Sequence, residues 1–323
     1  MEFLVGFETE FILLKSTNPI VASSIHQFSG TAGVFNGSKG ASVLQEIVSA
    51  LRKSNIPVQT AHAEAAPGQY EVTTGPLLPL EAADNLIYTR EIVANVAAKH
   101  GLHATFAPRP FNNAPGSSAH TNISVHAKGD FGIRTSQDLS GAEGAFLQGV
   151  MDHLPAIIAF TLPSYASYAR VADNIWSGGT YVSYGTENRE ASIRIVNRSS
   201  PLSRRFECRF VDGTSNPYLA LAAILAGGQA SIHAKTQLTM KDCKDKTAFS
   251  MTPQEKAEFG ISRKLPPNVF SARKRLLEDQ DLGWSLGFDF VRVFASVSET
   301  LEKALMVEEE DESARLTRLV EFF

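Results

Sequence analysis

Cysteine is nearly absent: the 323 residues hold two, Cys208 and Cys243. They form no metal-binding spacing, and two are too few for the disulfide framework of a small secreted protein, so both read as reduced thiols. No sign of charge dominates either. Thirty Lys and Arg stand against 34 Asp and Glu, with a pI near 6.1. That balance gives nucleic acid or an anionic membrane nothing to grip. Long apolar runs are missing as well. The longest, Tyr218 to Ala226, falls far short of the roughly 18–20 residues that cross a bilayer. Met1 is followed by an acidic residue and a short apolar run broken by Glu8 and Glu10, which is not a signal peptide. There is no Walker A sequence and no kinase glycine-rich loop; the glycines of Phe28 to Gly40 read as a flexible loop instead. With 43% apolar and 20% charged residues, the composition is that of a soluble globular chain. A cytoplasmic protein without nucleic-acid or membrane partners is expected.

No repeat, low-complexity tract or linker divides the sequence, so residues 1–323 are expected to form one unit. Val43, Leu44, Ile47, Val48 and Leu51 share a face of a helix over Ser42 to Lys53. Further helices are expected over Leu80 to His100, stopping at Gly101; after Asp138; from Asn216-Pro217; over Val269 to Glu278 and Phe288 to Leu305; and up to Phe323. Glu308 to Glu312 reads as a solvated acidic turn before that last helix. Strands are expected at Leu4 to Leu14, Pro57 to Ala61, Gln69 to Thr74, Ala104 to Ala107, Ser118 to Val125, Ser192 to Val196 and Arg205 to Val211. Strands and helices do not alternate regularly, which points to an α+β fold rather than a doubly wound sheet.

The strands carry an anomaly. Residues i and i+2 of a strand share one face, and five strands place polar residues there. Glu8 and Glu10 form one such row, Gln69 and Glu71 a second, and His120, Asn122 and Ser124 a third. Arg205, Glu207 and Arg209 form another, and Arg189 and Arg194 bracket one more strand; Glu64 lies seven residues before Glu71. One such strand would simply have a solvated side. Five of them without a single lysine suggest a site. Carboxylates with an imidazole suit hard divalent cations, and guanidinium forks suit phosphate. Together they describe phosphoryl-transfer machinery.

Several runs then match a known family. Gly6-Phe7-Glu8-Thr9-Glu10-Phe11, Glu64-Ala65-Ala66-Pro67-Gly68-Gln69-Tyr70-Glu71, Ala104-Thr105-Phe106-Ala107-Pro108-Arg109-Pro110 and Gly116-Ser117-Ser118-Ala119-His120 resemble glutamine synthetase. So do Glu187-Asn188-Arg189-Glu190-Ala191-Ser192-Ile193-Arg194 and Arg205-Phe206-Glu207-Cys208-Arg209, followed by Asp212 and Asn216-Pro217-Tyr218. The flavour is that of the bacterial-type branch with its FluG-like proteins and γ-glutamyl-amine ligases. The resemblance implies a curved antiparallel sheet, a half barrel backed by helices, with two Mg²⁺ or Mn²⁺ ions on its concave face and ATP as co-substrate. By resemblance, Glu10, Glu64 and Glu71 are ligands of the first ion, and Glu8, His120 and Glu207 of the second. Asn122 and Ser124 resemble nucleotide contacts, Arg189, Arg194 and Arg205 phosphate contacts, and Gly116, Arg170 and Arg209 contacts to glutamate or a related carboxylate. The implied reaction joins that acid to an amine or ammonia through an acyl-phosphate. The family forms stacked rings, so a homo-oligomer is also implied.

Three departures stand out. The family places a β-grasp domain of roughly a hundred residues before its first metal motif, and here seven residues precede Glu8. Val171 to Gly179 contains no glutamate where the family carries a flap glutamate over ammonium. Pro115 stands where the family offers a side-chain amide. These losses favour an amine bulkier than ammonia, with Trp176 as a candidate apolar wall. Conventional glutamine synthesis and a catalytically weak regulatory role are the alternatives. The remaining histidines read as surface or core residues, with His62 the one placed to lie near the nucleotide.

Overall fold

The computed structural model describes residues 1–25, 38–175, 178–306 and 311–323. Its centre is a nine-stranded sheet of β1 (Glu2–Thr17), β2 (Ile20–Ala22), β3 (Val58–Ala63), β4 (Gln69–Leu77), β5 (His103–Thr105), β6 (Ala119–His126), β7 (Tyr184–Thr186), β8 (Ile193–Val196) and β9 (Arg205–Cys208). The order is β3-β4-β1-β6-β9-β8-β7, with β2 and β5 also paired to β1. The sheet is open, with β3 and β7 at its edges. The expected antiparallel sheet needs one correction: β7 pairs with β8 in parallel, so the sheet is mixed. Three-residue strands such as β2 and β7 are too short to show a period in the sequence.

Helices α1 (Lys39–Lys53), α2 (Pro79–Lys99), α3 (Gly141–Thr161), α4 (Pro217–Ala234), α5 (Pro253–Phe259), α6 (Val269–Glu278), α7 (Gln280–Leu286), α8 (Phe288–Leu305) and α9 (Glu312–Phe322) accompany the sheet. Their ends follow local chemistry. Gly101 adopts a φ of +63° after α2, the left-handed conformation that ends helices. Asn216 caps α4 by accepting from the Tyr218 and Leu219 amides, with Pro217 in the first turn. Ser140 and Glu143 close a capping box on α3. Lys39 and Gly40 belong to α1 rather than to the expected loop, and Glu312 opens α9 rather than ending a turn. The rest of that loop from residue 28 to 37, residues 308–310 of the acidic run, and Trp176 lie outside the described residues.

Strand β1 explains why the site has a floor. From Val5 to Leu13 its odd-numbered side chains are buried: Val5 and Phe7 with Phe146, Val150 and Ile157 of α3, and Phe11 and Leu13 with Val43 and Ile47 of α1 and Val93 of α2. Its even-numbered side chains face the other way. There Ile12 and Leu14 are covered by Leu319 and Val320 of α9, while Glu8 and Glu10 are left to the open part of that face. Apolar burial on one side thus fixes the register that presents the carboxylates on the other.

Candidate active site

Strand register assembles the polar face. On β1, Glu8 stands opposite His120 of β6, and Glu10 opposite Glu71 of β4. Glu71 also faces His62 of edge strand β3. Asn122 of β6 faces Glu207 of β9, which faces Arg194 of β8. Residues far apart in sequence therefore form one band across the sheet.

Two sets of three donors lie with their ligand atoms within 4.8 Å of one another: Glu8, His120 and Glu207, and His62, Glu64 and Glu71. We call them the inner and outer triads. In the inner one, His120 Nδ1 is 3.0 Å from Glu8 Oε2 and 3.6 Å from Glu207 Oε1, with Glu10 Oε1 at 3.9 Å. Its Nε2 is buried and has no hydrogen-bond partner among the described residues. Glu10 belongs to neither triad. One of its oxygens accepts from Gln69 Nε2 at 2.8 Å and the Ser118 amide at 3.0 Å, and the other from the Ser118 hydroxyl. Gln69 was singled out only as part of a polar row and Ser118 not at all; neither was expected to anchor this buried carboxylate.

The arginines border the same ground. Glu207 accepts from Arg194 Nη1 at 3.0 Å and from Arg209 Nη1, and Arg209 Nε donates to the Arg189 carbonyl at 2.9 Å. Arg170 is buried, and its Nε and Nη1 have no hydrogen-bond partner among the described residues. Gly116 presses against it: a Cβ there would sit 2.6 Å from the Pro108 carbonyl oxygen and 3.2 Å from Arg170 Cβ, so only glycine lets this loop pass. A cavity of about 420 Å³ collects Glu8, Glu10, Glu64, Glu71, Gly116, His120, Arg170, Arg189 and Arg209, with Pro115 and Ile175 on its wall. A second cavity of about 360 Å³ shares Glu8 and contains Asn122, Ser124 and Arg205. There Arg205 Nε donates to Asn122 Oδ1 at 2.8 Å, Asn122 Nδ2 donates to Glu8 Oε1 at 2.9 Å, and Ser124 pairs with His126. All the expected site residues except Arg194 and Glu207 thus line one of two adjoining spaces, and those two are tied to them through the Glu207 contacts to His120 and Arg194.

The electrostatics are polarised. Burial, then the neighbouring Glu8, Glu10 and Glu64 charges, push Glu71 up to about 9. Burial and Glu10 also raise Glu64. Burial pulls Glu8 the same way, yet hydrogen bonds and charge from His120, with Asn122 and Arg209, bring it down to about 2. Five carboxylates on one face repel one another unless cations share the space. The donor set fits hard divalent ions: carboxylate oxygens with imidazole nitrogen, converging at less than 5 Å in each triad.

A family model described as glutamine synthetase, catalytic domain, matches residues 1–314. The chain belongs to that family. Protein fluG of Emericella nidulans is 37% identical to this glutamine synthetase-family chain over 322 residues, covering 98% of it and 35% of fluG. Glutamine synthetase of Thermus thermophilus is 31% identical over 286 residues, 87% of this chain and 63% of that enzyme. Gamma-glutamylpolyamine synthetase GlnA3 of Streptomyces coelicolor is 32% identical over 248 residues, 75% of this chain and 52% of GlnA3. The chain therefore spans about a third of the first relative and less than two thirds of the others. Among solved structures, a GmaS/ADP complex superposes with a TM-score of 0.77 at 25% identity, over 95% of this chain and 71% of that one. A novel glutamine synthase homologue gives 0.77 at 26% identity, over 98% and 71%. Among the described residues, no helix is long and apolar enough to cross a membrane.

Proposed function

We propose that this chain carries an ATP-dependent carboxylate–amine ligase site that forms a γ-glutamyl amide through an acyl-phosphate. The observation that carries the reading is the convergence of Glu8, His120, Glu64 and Glu71, members of the two triads, with Arg170, Arg189 and Arg209 around one cavity. In this reading Glu8, His120 and Glu207 hold one divalent ion, and Glu64 and Glu71, backed by Glu10, hold the other. Bound there, Mg²⁺ or Mn²⁺ would supply positive charge to the phosphate oxygens.

Asn122, Ser124 and Arg205 belong to the nucleotide, in the cavity that shares Glu8. Arg170 and Arg209, beside Gly116, bind the acid; the buried, unpartnered nitrogens of Arg170 suit a carboxylate. Glutamate's γ-carboxylate oxygen attacks the terminal phosphorus of ATP and ADP leaves. The amine nitrogen then attacks the acyl carbon, phosphate leaves, and the amine gives up one proton. Arg189 and Arg194 stabilise the charge on the phosphoryl group as it transfers.

The wall of the larger cavity favours an organic amine over ammonia. Pro115 and Ile175 line it, and the stretch from Val171 to Gly179 has no glutamate to hold an ammonium ion. GlnA3 is by name a γ-glutamylpolyamine synthetase, which agrees with this choice. The test is phosphate release by purified protein with ATP, Mg²⁺ and glutamate, comparing ammonia with a panel of mono-, di- and polyamines. An organic amine should exceed ammonia in kcat/KM by at least about tenfold, or about 1.4 kcal/mol. Ammonia as the best acceptor would return the chain to ordinary glutamine synthesis.

A further inference from the structure

We infer that Arg109 is a positioning residue that sets the affinity of the site for its acid substrate, by holding two wall segments together as one clamp. The inference rests on the carboxylate–amine ligase reading above. The chain from Pro108 to Ser117 closes on itself, because the Ser117 amide donates to the Pro108 carbonyl at 2.7 Å. Arg109 staples this loop. Its Nε donates to the Ala114 carbonyl at 3.1 Å and its Nη2 to the Asn112 carbonyl at 2.9 Å. Its Nη1 reaches a second segment and donates to the Ala169 carbonyl at 2.8 Å. Each nitrogen of one planar group thus holds a separate backbone oxygen.

Both segments lead into the same cavity. Pro115 and Gly116 follow Ala114, Arg170 follows Ala169, and all three line that space. They also meet there, since a Cβ on Gly116 would sit 3.2 Å from Arg170 Cβ. Arg109 is not itself part of the lining, so it acts through these neighbours. Little else ties the two segments: Phe111 and Ala114 share a small apolar cluster with Ala166. An acid held by the buried Arg170 needs that guanidinium and the Gly116 backbone in fixed relation, and a misplacement of about 1 Å can cost about 100-fold. Glu8, His120, Arg194 and Glu207 stand on β1, β6, β8 and β9, which the Arg109 contacts do not include. The loss should therefore fall on the acid and spare the nucleotide.

The test follows phosphate release by the full chain with Mg²⁺ and its best amine, varying L-glutamate and ATP separately, with calorimetric titration of L-glutamate alongside. Arg109→Met keeps the stem and removes every donor. Arg109→Lys keeps the charge but replaces the three-way fork by a single ammonium. Each should raise the KM and the calorimetric Kd for glutamate by at least about tenfold, while the KM for ATP and kcat at saturating glutamate stay within about threefold. If one variant fails to fold, the other carries the comparison. An unchanged glutamate KM, an equal rise in both KM values, or the unfolding of both variants would make Arg109 a residue of the fold alone and overturn the inference. A wild-type chain whose phosphate release does not respond to glutamate would instead overturn the ligase reading, and this inference with it.

Discussion

Glu143 and Glu71 are both buried, but Glu143 faces two guanidinium groups where Glu71 faces three carboxylates. Arg204 grips Glu143 with Nε at 3.0 Å and Nη2 at 2.6 Å, and Arg134 adds Nε at 2.8 Å. Arg204 and Arg134 also donate to the carbonyls of Thr135, Arg198 and Arg204. Glu143 therefore does structural work: it pins the residue that precedes Arg205 to the first turn of α3. Removing one member of a buried ion pair leaves its partners' charge uncompensated, at about 3–5 kcal/mol. Glu143→Gln should lower the unfolding free energy by about 3 kcal/mol in urea titration. A loss below about 1 kcal/mol would show that the arginines find water instead. The same reasoning makes the two cysteines inert. Burial pushes the Cys208 thiol up strongly and Cys243 to about 12, so neither is a nucleophile at neutral pH.

Between elements, the contact that responds to pH joins α3 to α7. His153 Nδ1 lies 2.8 Å from Asp279 Oδ2, and Asp279 also caps α7 by accepting from the Leu282 amide at 3.0 Å. Burial lowers the His153 pKa, but the hydrogen bond and charge of Asp279, with Asp281 and Asp152 nearby, leave it above its ordinary value. Burial likewise opposes the charge on Asp279, and His153 and the backbone amides bring its pKa below the ordinary carboxylate value. A histidine with a raised folded pKa contributes fully below the unfolded value near 6.5 and loses that contribution as pH rises through the folded one. Wild type should therefore exceed His153→Gln by about 1–2 kcal/mol near pH 6, with the gap shrinking by pH 9. A gap that stays constant or widens over that range would show that His153 is not charged in the fold.

Helices α6 and α8 end where the sequence places them, because their caps and apolar faces are local. The polar rows on β1, β6 and β9 were legible for the same reason: the i, i+2 alternation is written within each strand. The pairing of His62 with Glu71 was not, since cross-strand register is a property of two segments that the sequence keeps seven or more residues apart. The hold of Gln69 and Ser118 on Glu10 was hidden for a similar cause, as Ser118 approaches from a loop over 100 residues away. Helix α7 begins one residue after Asp279, which also closes α6, so no sequence break separates the two.

At the scale of the whole molecule, one face of the sheet is buried under α1, α2 and α3, while α9 covers only part of the other. The C-terminal helix is tied to the sheet by the Phe106 amide donating to the Phe323 carbonyl at 2.7 Å and by His103 at 2.9 Å from the Val320 carbonyl. What stays open is the band of carboxylates, imidazoles and guanidinium groups. It brings carboxylate, imidazole and guanidinium groups together beside a partly apolar wall. In the reaction proposed above, the acid is activated by phosphorylation before the amine arrives. The direct measurement is oxygen transfer: glutamate labelled with ¹⁸O in its γ-carboxylate is turned over with ATP, Mg²⁺ and the best amine, and the released phosphate is analysed by mass. An acyl-phosphate route places one ¹⁸O in each phosphate formed from fully labelled acid. Unlabelled phosphate accompanying amide formation would contradict it.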